Sequence, residues 1–148
     1  MRPGTQNTCR KSQRGSAALE FALLATFFTA LLAIAMDFSR VFYASIEVAN
    51  AARAGAQYGI SDPSHVSDYN AMQTAATNDA PNVSGMTATA SQFCTCPDGT
   101  VTTCGSGGCS NKRTYVKVVT NASFSTIGTY PLLPNPVPLS AQVTLRAK

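Results

Sequence analysis

Four cysteines fall within a sixteen-residue stretch, at Cys94, Cys96, Cys104 and Cys109. Thiols close disulfides, bind metals as thiolates or cycle in redox exchange, and their spacing separates these uses. Here the pattern is C-x-C, seven residues, then C-x₄-C. It lacks the paired C-x₂-C knuckles of a structural zinc site. It also lacks the C-x-x-C at a helix start that lowers a thiol pKa for redox work. An even, clustered set reads as two disulfides in an oxidising compartment. A Cys94–Cys96 bond would close a very tight loop. Two pairings stay open: Cys94–Cys109 with Cys96–Cys104, or Cys94–Cys104 with Cys96–Cys109. Cys9 stands apart, near the N-terminus.

The rest of the chain holds little that does chemistry. His65 is the one histidine, so no histidine-based triad or multi-histidine metal site can be assembled. It follows Asp62-Pro63 and reads as a solvated loop residue. The "GSGG" at 105–108 lies between cysteines and no lysine directly follows it, unlike a phosphate-binding loop. Asp62, Asp68, Asp79 and Asp98 are too scattered for a calcium loop. The sequence therefore predicts no enzyme, no cofactor and no metal site.

Glu20 is the most informative charge. It stands alone within Ser16–Met36, twenty-one residues that are otherwise uncharged. As a helix that run spans about 31 Å at about 1.5 Å per residue, which matches a hydrocarbon core of about 30 Å. A carboxylate inside it is costly unless something compensates. Arg2, Arg10, Lys11 and Arg14 precede the run with no acid among them, whereas seven basic and seven acidic residues follow from Ser16 onward. The net charge of +4 is thus the charge of the first fifteen residues. It reads as a positive-inside topology signal, with the body outside the cytoplasm. The body has no basic patch with interleaved aromatics, so nucleic acid is not an expected partner.

These features need elements to carry them. No proline occurs between Arg14 and Pro63. One helix is expected from about Ser16 to about Tyr58, ended by Gly59 and Asp62-Pro63. Its first half is apolar all round. Its second half is amphipathic, with Phe38, Val41, Phe42, Ser45, Val48, Ala49, Ala52 and Ala56 at helical spacing and Asp37, Arg40, Glu47, Asn50 and Arg53 among the polar positions. A short second helix is expected over Ser67–Asp79, with Ser67 as its cap and Tyr69, Met72, Ala75 and Ala76 facing inward. From Val83 the apolar period becomes two, and about three strands follow: near Met86–Ser91, Thr114–Ser125 and Leu139–Arg146. The fold class is α+β, a long N-terminal helix, a short helix and a small antiparallel sheet with a disulfide loop. The expected division is a leader, 1–15, a transmembrane segment, 16–36, and a head domain, 37–148.

The junction "RGSAALEFALL", Arg14 to Leu24, resembles the processing site of type IV prepilins and pseudopilins: basic residues, a glycine, a small residue, then glutamate at the fifth position of an apolar helix. It looks like the R-G-x-A-x-x-E-F-A-L signature of the TadE-like family, minor pilins of the tight-adherence (Tad) system. "VANAARAGAQYGI", "TYVKVVTNASFSTIG" and "PLSAQVTLRAK" also resemble that family's later segments. Family members often have a proline soon after the apolar start; Thr26-Phe27-Phe28 stands here and implies a straighter helix. The resemblance implies cleavage after Gly15 by a prepilin peptidase, which leaves Ser16 as the new N-terminus. It implies that Glu20 pairs with a neighbouring subunit's N-terminal amine. The expected partners are other pilin subunits, in a homo- or hetero-oligomeric pilus, and the bacterial inner membrane.

Two other readings compete. "AIAM" at 33–36 offers a signal-peptidase site after Ala35, which would release a secreted protein. Alternatively, a plain anchor carries a periplasmic, disulfide-containing binding or redox module.

Overall fold

The computed structural model describes residues 14–105 and 108–147. The chain forms two units, 1–36 and 37–148. Helix α1, Arg14–Ser61, contributes residues to both. Most of the proposed leader, residues 1–13, lies outside the described residues.

In the first unit the large side chains of α1 are exposed, Leu19, Phe21, Phe27, Phe28 and Leu32 among them. A helix apolar all round and solvent-facing all round is suited to lipid. Its two threonines satisfy their hydroxyls internally: Thr26 Oγ1 donates to Leu23 O at 2.8 Å, and Thr29 Oγ1 to Thr26 O at 2.9 Å. This removes the polar cost that a bilayer would impose. Among the described residues one helix is long and apolar enough to cross a membrane, and it is this one.

The second unit is built on the rest of α1, a 3-10 turn at His65–Ser67, helix α2 (Tyr69–Asp79) and strands β1 (Thr87–Thr95), β2 (Val101–Thr102), β3 (Arg113–Phe124) and β4 (Val137–Arg146). The strands form one antiparallel sheet in the order β2-β1-β3-β4. The α+β plan holds, with four strands instead of three. The additional strand is a two-residue return that pairs Val101 and Thr102 with Thr95 and Cys94.

Register aligns the apolar positions on one face. Ala90, Val118 and Val143 are neighbours across three strands, as are Ala88, Thr120 and Ala141. Val116, Val118 and Thr120 are fully buried, as the alternation over 114–125 predicts. Burying each valine contributes roughly 1.5–3 kcal/mol. Thr120 is the polar member of that row, and its hydroxyl donates to Val48 O of α1 at 2.8 Å.

The buried stripe of α1 differs from the expected one. Ala44, Val48, Ala51, Ala52, Gly55, Ala56 and Gly59 are buried, whereas Phe38, Phe42 and Ala49 are exposed. The cause is close packing. A Cβ on Gly55 would lie 2.7 Å from Met72 O and 3.2 Å from Val118 Cγ1. Around Gly55 and Gly59 helix, helix and sheet approach so closely that small residues line the stripe from Ala51 to Gly59. Gly59 is likewise an internal packing glycine and does not end the helix; its missing Cβ makes room for the Met72 thioether. The helix stops at Ser61, just before Asp62-Pro63.

The second helix also starts later than expected. Asp68 caps it, not Ser67: the carboxylate accepts from Ala71 N–H at 3.0 Å, three residues into the turn. Ser67 ends the preceding 3-10 turn. Met72 and Ala76 are fully buried and Tyr69 packs against their cluster, as their spacing predicts.

Candidate functional site

Gly15, Ser16 and Glu20 all stand exposed in the first turns of α1. Gly15 has nothing within 4 Å of where a Cβ would be. Ser16 and Glu20 are four residues apart in one helix, so they share a face. The apolar side chains that follow Glu20 are exposed too. This is a surface for helix-to-helix or helix-to-lipid contact, not a pocket for a small molecule. At 33–36, where the alternative cleavage site lies, α1 continues without interruption.

The cysteines form two closed pairs, Cys94–Cys104 and Cys96–Cys109. This is one of the two pairings that spacing leaves open. Cys94 lies within β1, not in a loop beyond the strand, and is buried together with Cys96. Strand and disulfides together anchor the long excursion between β1 and β3.

His65 is not the solvated loop residue its neighbours imply. It opens the 3-10 turn, is half-buried and stacks on Tyr58 with ring centroids 4.4 Å apart. Its Nδ1 lies 2.9 Å from Ser61 Oγ. The same hydroxyl lies 2.7 Å from Tyr58 O, its acceptor one turn back in α1. Asp62 is engaged with Ser64, whose hydroxyl and N–H hold its carboxyl below the usual carboxylate range.

The strongest polar site is one that the sequence did not mark. Asp37, the first residue after the apolar segment, is only 3% exposed. Its carboxylate accepts from Ile127 N–H at 3.0 Å, Gly128 N–H at 3.0 Å and Tyr130 Oη at 2.9 Å. Arg40, one turn on, adds an ion pair at 3.4 Å, and its guanidinium lies 5.1 Å from the centre of the Phe124 ring. The Gly128 N–H is the largest influence holding the Asp37 carboxyl below its ordinary range. Burial opposes it, and the Ile127 N–H, the Tyr130 hydroxyl and Arg40 reinforce it. The same bond raises the Tyr130 phenol. An acid directly after an apolar run was the one hint available. Its partners lie ninety or more positions away, beyond the reach of any spacing rule.

Beside this cluster is an open groove of about 680 Å³, bordered by Arg40, Tyr43 and Glu47 of α1 and by Asn82, Ser84 and Phe124. The Tyr43 phenol is raised chiefly by its hydrogen bond to Glu47. Among the described residues no group of three or more histidine, cysteine or acidic side chains is placed to hold a metal ion.

Comparison with known proteins adds one result. No curated protein and no solved structure matches the chain. A family model does, over residues 15–57, and its description is "TadE-like protein". The match begins at Gly15, includes Ser16 and Glu20, and covers the packing stripe of α1 as far as Ala56, stopping short of Gly59. Residues 15–57, which hold most of "RGSAALEFALL" and "VANAARAGAQYGI", are thus similar to TadE-like proteins.

Proposed function

We propose that this protein is a minor pilin of a Tad-type pilus, a structural subunit and not an enzyme. In this reading a prepilin peptidase cuts after Gly15, residues 16–36 anchor the chain in the bacterial inner membrane, and residues 37–148 stand on the periplasmic side or enter the pilus. The observation that carries it is the TadE-like match over residues 15–57, which begins at the glycine where the cut is proposed.

The chemistry supports the same reading. Cleavage gives Ser16 an α-amine one helical turn from the Glu20 carboxylate. An unpaired carboxylate costs about 2.5–3.5 kcal/mol at the bilayer centre and less toward the interface. Pairing Glu20 with the Ser16 amine of a neighbouring subunit lowers that cost only in the assembled state, so the charge favours assembly. The exposed apolar side chains of residues 16–36 are the surface along which other pilins, or lipid, pack. The four basic residues ahead of the cut keep that end in the cytoplasm.

N-terminal sequencing of membrane-extracted protein tests the reading. A mature chain beginning at Ser16 is expected. A chain beginning at Met1 removes the processing step. One beginning at Met36 replaces the pilin with a secreted, disulfide-bonded module.

A further inference from the structure

We propose that the loop between β3 and β4, residues 125–136, rests on the bilayer surface at the Met36 end of the apolar segment, with Ile127, Leu132 and Leu133 as its lipid contacts. The inference depends on residues 16–36 spanning the membrane, and the experiment below separates the two claims.

Exposed apolar residues are common singly and mean little alone. Here their position is what matters. Ile127 is 81% exposed and Leu132 fully exposed. Both belong to the loop that Asp37 holds through Ile127 N–H, Gly128 N–H and the Tyr130 hydroxyl, all at about 3 Å. Asp37 follows Met36 directly within α1. An apolar segment that ends at Met36 places Asp37 at headgroup depth. A loop hydrogen-bonded to that side chain is then held at the same depth.

The composition of the loop suits that location. No charged residue occurs between Lys117 and Arg146, and the charges at the base of the loop, Asp37 and Arg40, are paired with each other at headgroup depth. Pro131, Pro134 and Pro136 carry no N–H, which leaves fewer backbone donors to satisfy where water is scarce. Thr126 N–H and Thr126 O are both engaged by the Asn135 side chain, at 3.3 and 3.4 Å. Tyr130 has the amphipathic ring that favours membrane–water interfaces. The loop itself has no cation, and Arg40 at its base is engaged by Asp37 and Phe124, so the partner is the apolar boundary of the bilayer.

The chain contains no tryptophan, so a single introduced tryptophan reports its own surroundings. The full chain would be reconstituted into phosphatidylcholine vesicles carrying Leu132→Trp, with Val101→Trp and Phe28→Trp as references. Val101 is exposed on β2, which pairs with the far end of β1 from the loop. Leu132→Trp is expected to emit to the blue of Val101→Trp and to be quenched by lipids brominated near the headgroup. Phe28→Trp is expected to be quenched by lipids brominated deep in the chain. Quenching of Phe28→Trp without quenching of Leu132→Trp overturns the loop contact and leaves the anchor standing. Failure of both overturns both. Equal quenching of Leu132→Trp and Val101→Trp overturns the specific contact. Blue-shifted, unquenched emission from Leu132→Trp that depends on protein-to-lipid ratio assigns the loop to another protein surface and overturns the lipid contact.

Discussion

Asp37 and Tyr130 are joined by a hydrogen bond, hydroxyl to carboxylate at 2.9 Å, across ninety-three positions of sequence. The bond has a limit at each end of the pH scale. The folded Asp37 carboxyl titrates below its ordinary value of 3.8. Its contribution to stability is therefore complete above that value and is lost as pH falls through the lower, folded value. The Tyr130 phenol titrates above its ordinary value of 10.0. Its contribution is complete below that value and is lost as pH rises through the higher, folded one. Asp37→Asn should flatten the acid limb of a stability-against-pH curve and bring the Tyr130 phenol down toward its ordinary value, leaving only the rise due to burial. Phenolate absorbance measures the second effect directly. Tyr43 is also raised, by Glu47, so it should remain late in the variant. A phenolate titration of Asp37→Asn that coincides with that of the parent would show that the carboxylate does not raise the Tyr130 phenol.

Gly55 and Gly59 face the same helix but meet different atoms, and this ranks their alanine variants. A Cβ at 55 meets a backbone carbonyl, Met72 O, at 2.7 Å. At 59 the nearest atoms are the thioether sulfur and methyl of Met72, at 2.8 and 2.9 Å, which belong to a flexible side chain. Gly55→Ala should destabilise the protein by about 1–3 kcal/mol. Gly59→Ala gains roughly 1 kcal/mol of helix propensity, which offsets much of the repacking, so it should lie closer to the parent. Thermal melts of the two variants in one detergent check the order. Equal midpoints would mean that the interface is looser than its geometry.

The contrast between these glycines and Asp37 shows what a sequence can and cannot disclose. The long helix, the short helix and the inward faces of β3 and β4 follow from local periodicity, so the plan of the fold was legible. Val116, Val118, Leu139 and Val143 fall where alternation puts them. The buried side of α1 was legible at Val48, Ala52 and Ala56 but not at Phe38, Phe42 and Ala49, because the scale that marks the phenylalanines as core cannot know how closely a sheet will approach. Alanine and glycine look neutral until the partner surface is known. Cys94 was assigned to a loop because nothing local marks a strand continuing into a disulfide. The family resemblance at Gly15, Ser16 and Glu20 lies in consecutive residues, and the family match includes all three. The Asp37 cluster could not be read, since its meaning lies in a loop ninety residues away.

The disulfide pairing makes a prediction that depends on which cysteines are removed together. Cys94–Cys104 and Cys96–Cys109 close separations of 10 and 13 residues. Each should contribute roughly 2–4 kcal/mol. Removing one natural pair, Cys94→Ala with Cys104→Ala, leaves Cys96–Cys109 closed and should cost the stability of one bond. Removing one member of each, Cys94→Ala with Cys109→Ala, costs both and leaves Cys96 and Cys104 without their partners. Thiol titration of the denatured, unreduced proteins together with melting curves distinguishes the two variants. The opposite order of stability would assign the alternative pairing.

Glu20 carries the prediction closest to function. The side chain is exposed on α1, so its replacement disturbs no core. Glu20→Ala also relieves the cost of a carboxylate in an apolar segment. A purely structural view therefore expects the variant to insert at least as well as the parent. The assembly reading expects a dissociation of properties: cleavage after Gly15 and membrane insertion are kept, while incorporation into pili falls because the partner for a neighbouring Ser16 amine is gone. Glu20→Asp, with the charge kept on a shorter arm, should recover part of the loss, and Glu20→Gln should not. An antibody to residues 37–148, applied to sheared pilus preparations and to membrane fractions from the same cells, reads both quantities at once. Full incorporation of Glu20→Ala would leave the carboxylate without an assembly role and make the apolar surface of residues 16–36 sufficient for packing.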